Sequence, residues 1–177
     1  MENKLSVTVK YIIGWTVVFA VRLIPFRMPN VEPVMATLMP YSKRYGILGA
    51  FLFGLLSIAL YDIAVGKAGQ WTVVTAVTYG VIGIASAIFF NRAKSSRKNY
   101  VTFAFFGTIF YDAITGVAMG PILFGGSYSE AFFGQIPFTL YHLAGNIVFA
   151  FILSPALYNW VVTNPKLSEF KFLQVFG

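Results

Sequence analysis

The chain has no cysteine, a single histidine and only six acidic residues. Without thiols there are no disulfides and no thiolate metal sites. So few carboxylates and imidazoles also argue against a metal cage, and neither metal nor cofactor is expected. Charge of either sign is scarce, at 11% of residues, where a soluble domain carries about 25%. No glycine-rich loop ending in Lys-Ser/Thr is present, so the chain is not expected to hydrolyse nucleotide itself. Neither a His-Glu-x-x-His pair nor a Gly-x-Ser-x-Gly elbow occurs. An intramembrane enzyme would have to work with His142 and scattered carboxylates, and no enzymatic activity is expected.

What fills the sequence instead is apolar. Hydrophobic residues make up 58% of the chain and aromatic residues 18%, with a mean hydropathy of +0.73. They gather into runs of about 20 residues, the length that crosses a ~30 Å hydrocarbon core. The reading is an all-α membrane protein, a single bundle of six transmembrane helices with the second one short. The expected spans are about 7–24, 31–40, 45–65, 71–90, 100–118 and 135–162. Pro25 stops the first and Pro40 closes the second, which is tolerable in a bilayer only if other helices surround it. A Gly/Ser/Phe-rich loop is expected over Gly120–Gly134. The first run has basic residues before it but no small-residue cleavage site after it, and reads as a retained helix.

The net charge of +7 does not point to nucleic acid, because the basic residues sit in short clusters between apolar runs. With six crossings, one side carries Lys4, Lys10, Lys43, Arg44, Arg92, Lys94, Arg97, Lys98, Lys166 and Lys171. The other side is left with Arg22, Arg27 and Lys67. That asymmetry is the one the positive-inside rule demands, and it predicts a multi-pass cell-membrane protein, surrounded by lipid, with both termini cytoplasmic. One internal echo is visible: Tyr61-Asp62 closes one predicted span and Tyr111-Asp112 another.

Polar side chains within spans are costly, so their placement is informative. Gln135, Thr139, His142 and Asn146 are spaced by four, three and four residues, which puts them on one helix face. Thr108, Asp112 and Thr115 form a shorter stripe. Thr72, Thr75 and Tyr79 form another, with Trp71 at its outer end. Arg27, Asn30 and Glu32 follow the first span at the same level, and Asp62 joins them from the third. Together they sketch an outward-facing polar pocket with aromatic walls, the usual form of a small-molecule site. Plainer readings exist for each. Polar groups between spans often only bond neighbouring helices, Asp62 and Asp112 could pair with Arg22, Arg27 or Lys67, and Trp71 could be an interfacial anchor. Gly46, Ala50 and Gly54, and Thr16 with Ala20, are small-residue rows that let helices approach closely; the second could dock a partner membrane protein.

Several stretches carry a family likeness: Arg22-Leu23-Ile24-Pro25, Pro29-Asn30-Val31-Glu32-Pro33-Val34-Met35, the basic turn Lys43-Arg44-Tyr45-Gly46, Asp62, and Gly69-Gln70-Trp71-Thr72. With them the chain resembles the substrate-binding S components of energy-coupling factor (ECF) transporters, vitamin-uptake relatives of ABC transporters in the bacterial cell membrane. The resemblance implies a membrane-embedded subunit that captures a vitamin or related micronutrient from outside. It implies partners too: a transmembrane coupling subunit and two ATPase subunits. The family's Ala-x-x-x-Ala docking motif would fall on Thr16-x-x-x-Ala20, departing at its first residue. The alternatives are a self-sufficient small transporter or channel, the intramembrane enzyme above, and an assembly protein. For the cargo, Glu32, Asp62 and Asp112 favour a neutral or cationic ligand, whereas Arg22 and Arg27 favour an anionic group.

Overall fold

A backbone in lipid must satisfy its own N–H and C=O groups, so long apolar runs become helix. The computed structural model describes residues 4–26 and 31–168. Its helices are α1 (Lys4–Arg22), α2 (Val34–Ala64), α3 (Gln70–Arg92), α4 (Arg97–Phe124), α5 (Tyr128–Val162) and the short α6 (Pro165–Ser168). Among the described residues five of these, α1 to α5, are long and apolar enough to cross a membrane.

Two expectations are thereby corrected. The count of such helices is five, not six, and the second is not short: α2 runs for 31 residues. Pro40 was expected to end a helix because it has no N–H to give the Ala36 carbonyl one turn back. The Ser154 hydroxyl supplies that bond from α5, at 2.7 Å, and the helix continues through Pro40. The real break lies at Gly46, whose φ of 70° and ψ of −165° no helix contains. Only glycine adopts such angles cheaply. There α2 doubles back, and Tyr41 before the bend stacks on Phe53 after it, with ring centroids 4.7 Å apart.

The expected loop over Gly120–Gly134 is also mostly helix. Only Gly125, Gly126 and Ser127 separate α4 from α5. Both glycines have positive φ (78° and 98°) and make the turn. A capping box of Ser127 and Glu130 then restarts the helix at once. Within α4 the winding changes: Ala113–Met119 is π-helical between two α-helical stretches.

The polarity of the bundle is inverted relative to a water-soluble protein. Lys10, Thr37, Ser42, Ser57, Ser86, Thr108, Asp112, His142 and Asn146 are buried, while Phe105, Phe106, Phe132, Phe133, Phe151 and Trp160 are exposed. That distribution suits hydrocarbon outside and polar contacts within, and with the five spans it describes a multi-pass membrane protein.

Small residues set the closest contact, between α2 and α3. A Cβ on Gly54 would collide with the Tyr79 carbonyl, and one on Gly83 with the Ala50 carbonyl. The expected row of Gly46, Ala50 and Gly54 therefore packs internally at Ala50 and Gly54, whereas Gly46 serves the bend.

The two ends of the bundle differ in charge. Lys43 Nζ donates to the Phe90 and Ala93 carbonyls at the end of α3. Lys10 Nζ donates to the Val162 carbonyl at 2.9 Å and to Ser168 Oγ at 2.8 Å. The start of α1 and the end of α5 thus meet at one basic end. Arg22, Glu32, Asp62 and Thr72 gather at the other.

Candidate functional site

At that second end Arg22, the last residue of α1, is held by Glu32, Asp62 and Tyr61 and donates to the Ser57 carbonyl at 3.5 Å. Its guanidinium lies 3.4 Å from Glu32 Oε2 and 3.6 Å from Asp62 Oδ1. It also sits over the Tyr61 ring, 4.0 Å from the centroid. The second oxygen of Asp62 accepts from Thr72 Oγ1 at 2.7 Å. Asp62 therefore pairs with Arg22, and both its oxygens are engaged. Glu32 accepts in addition from the Tyr79 hydroxyl at 3.3 Å. From Tyr79 the contacts pass inward: its ring lies 4.6 Å from that of Tyr111, which meets the His142 imidazole edge-on at 5.4 Å.

His142 belongs to a two-rung ladder between the antiparallel helices α4 and α5. In the upper rung His142 Nδ1 is 2.9 Å from Asp112 Oδ1, with side chains only 2% and 5% exposed. In the lower rung, one turn along each helix, Asn146 Nδ2 donates to Thr108 Oγ1 at 2.8 Å. Thr108 gives its own proton to the Ala104 carbonyl at 2.7 Å. A hydroxyl has one proton to give, so Thr108 can only accept from Asn146, and the amide orientation follows. These bonds do join neighbouring helices, as polar groups between spans commonly do. Yet Asp112 Oδ2, His142 Nε2 and Asn146 Oδ1 are buried without a partner. Buried polar atoms are nearly always bonded, so three orphans in one ladder call for an explanation.

Beside the ladder a cavity of about 220 Å³ lies between α4 and α5. Asp112, Gln135 and Thr139 are the polar residues along it, among walls such as Ile109, Val117, Phe132 and Leu140. The stripe read on the last span thus faces α4 as one row: Gln135 and Thr139 at the cavity, His142 and Asn146 on the rungs. Gln135 also lies against Gly116, where any Cβ would strike its side-chain amide. Ala113 and Val117, both in the π-helical stretch, complete that wall. Such departures from α winding often mark functional positions.

The other expected residues are not drawn to this cavity. Glu32, Asp62 and Tyr79 belong to the Arg22 cluster. Thr75 Oγ1 turns back to the Trp71 carbonyl at 2.9 Å. Trp71 is 37% exposed and packs on Phe124 at 5.5 Å, as an interfacial anchor would. Arg27 and Asn30 lie outside the described residues. Thr16 and Ala20 share an exposed stripe of α1. The Thr16 hydroxyl folds back to the Ile12 carbonyl at 2.8 Å, so the stripe presents little polarity.

Sequence reading passed over Tyr111 and Gly116. The Tyr-Asp echo was the available signal for the first. Tyr61 and Asp62 grip Arg22 with ring and carboxylate, and Tyr111 and Asp112 grip His142 the same way. Among the described residues no group of three or more His, Asp or Glu gathers as a metal site.

Compared with family models, curated proteins and solved structures, the chain matches none. Its architecture is that of a multi-helix membrane-spanning protein, consistent with a transporter in general.

Proposed function

We propose that this chain is the substrate-capture subunit of an ECF-type importer in a bacterial cell membrane. It takes up a vitamin-like micronutrient at the end bearing Arg22 and Asp62. It then hands the cargo to a transmembrane coupling subunit driven by two ATPases. The observation that carries this reading is the α4–α5 ladder, where three buried polar atoms stand unpartnered beside a cavity. A purely structural ladder would satisfy its own atoms, because an orphan costs about 1–3 kcal/mol of desolvation. On the positive-inside rule the end carrying Lys10 and Lys43 would face the cytoplasm, so that Asp112 lies nearer the outer face than the rung below it. The exposed Thr16 and Ala20 stripe supplies a close-packing face for the coupling subunit.

Native mass spectrometry of the protein, extracted gently from its host, tests the proposal. A retained small molecule is expected, together with a second membrane subunit and ATPase chains. Asn146→Leu should weaken retention about tenfold, a loss of ~1.4 kcal/mol, while the helical content is kept. Thr16→Leu with Ala20→Leu should strip away the partner subunits and leave the bound molecule in place. Flux into liposomes containing this chain alone would replace the proposal with a self-sufficient transporter.

A further inference from the structure

The unpartnered atoms of the ladder share one character. The Asp112 carboxylate uses Oδ1 to accept from the Nδ1–H of His142, which leaves Nε2 with a lone pair in the neutral ring. Asn146 commits its NH₂ to Thr108, which leaves its carbonyl oxygen. Asp112 Oδ2 is free outright. With the ring neutral all three are acceptors, and the ladder's spare donor is the second N–H of Asn146, whose residue does not line the cavity. Of the three residues only Asp112 lines the cavity, and its side chain is 5% exposed. One donor, His142, already meets this carboxylate at Oδ1, and the buried Oδ2 still costs desolvation until a second donor meets it.

The cavity around it sets the rest of the ligand. Ile109, Phe132 and Leu140 form much of its wall and are themselves exposed on the bundle perimeter, so the space opens sideways between α4 and α5. Gln135 and Thr139 are the other polar side chains on the wall. No cationic side chain lines it, so the acid is not answered from within the cavity. Its size, about 220 Å³, falls below the ~300–1,000 Å³ of sites for drug-sized molecules.

We infer that this cavity binds a small amine or amidine whose protonated nitrogen meets Asp112 Oδ2 and whose apolar body lies between α4 and α5. The inference rests on the capture reading above and narrows it to cationic, donor-bearing cargo. His142 acts as a positioning residue: by holding Oδ1 it turns Oδ2 to the ligand. Gln135, pinned over Gly116, and Thr139 offer hydrogen bonds beside the charge. An anionic ligand is disfavoured at this position, because the acid would repel it and nothing cationic on the wall would offset that.

Three probes of one shape test the charge rule: 2-phenylethylamine, 2-phenylethanol and 3-phenylpropanoate, titrated calorimetrically against the purified protein in detergent. The amine is expected to bind at least about tenfold more tightly than the alcohol and the acid. Asp112→Asn, which keeps an oxygen for His142 and puts an NH₂ at the Oδ2 position, should erase that gap. The inference is overturned if the three probes bind alike, if none binds at millimolar concentration, or if the acid leads. It is equally overturned if Asp112→Asn, shown folded by its unchanged melting transition, keeps the preference. Should that variant not fold, the ranking on the unmodified protein decides alone. An anionic cargo retained in native mass spectrometry and lost with Asn146→Leu would sink the amine rule and leave the capture reading standing. Absence of any cargo and of ATPase partners, with the amine ranking intact, would do the reverse.

Discussion

The molecule uses the same dipeptide twice and finishes it only once. At the end of the bundle away from Lys10 and Lys43, Tyr61-Asp62 closes on Arg22, and both Asp62 oxygens are engaged, one by the guanidinium and one by Thr72. Between α4 and α5 Tyr111-Asp112 closes on His142, and one Asp112 oxygen is left without a partner. The first cluster ties α1, α2 and α3 together and stands 11–16% exposed. The second is buried more deeply and borders a cavity. The difference lies in what surrounds each aspartate. Around Asp62 the neighbours complete the coordination, and around Asp112 a π-helical turn opens space instead of filling it. An aspartate with both oxygens engaged behaves as a latch, whereas under the proposed capture role one with an oxygen to spare is where a ligand binds.

The sharpest way to break this comparison is to remove each basic partner. His142→Leu leaves Asp112 buried with no partner at all. Leaving a buried charged group without its hydrogen bond costs about 3 kcal/mol or more, and that loss should appear as early unfolding in denaturant titrations of the detergent-solubilised protein. Arg22→Leu is expected to cost less, roughly 2 kcal/mol. Asp62 keeps Thr72, Glu32 keeps Tyr79, and the cluster stands nearer to solvent. If Arg22→Leu proved the more damaging of the two, the latch and not the ladder would be the energetic centre.

The helical spans were legible because apolar length alone decides them. Wherever a distant group intervened, the sequence misled. Pro40 reads as a stop, since nothing nearby announces that Ser154, far along the chain, will answer the Ala36 carbonyl. The Gly120–Gly134 stretch reads as loop by composition, yet lipid around Phe132 and Phe133 rewards helix there. The stripe from Gln135 to Asn146 was recoverable from spacing, because period fixes the face. Its partners on α4 were not, since nothing in spacing says which helix the face meets. Tyr111 was missed for a related reason: an aromatic residue in a span reads as packing until its ring is seen between Tyr79 and His142. The small-residue row on α2 was legible only in part. Gly54 meets the α3 backbone as expected of such rows, but Gly46 is there for its φ.

The smallest effect separates the two tyrosines. Tyr61 contributes a ring to Arg22 and also gives its hydroxyl proton to the Arg22 carbonyl at 2.9 Å. Tyr61→Phe therefore keeps the ring and loses one hydrogen bond, worth about 1 kcal/mol. Tyr111 meets His142 and Tyr79 through its ring, so Tyr111→Phe should stay within about 0.5 kcal/mol of the unmodified protein. Both values follow from denaturant titrations of the single variants. Equal losses would mean that the Tyr111 hydroxyl also has structural work in the fold, and the two dipeptides would then be built alike. A loss confined to Tyr61 keeps them distinct, because the Arg22-bound pair is then fastened by a hydrogen bond at its hydroxyl and by an ion pair and a hydrogen bond at its carboxylate. The pair at His142 would be held by its ring and one carboxylate oxygen, with the other oxygen left without a partner.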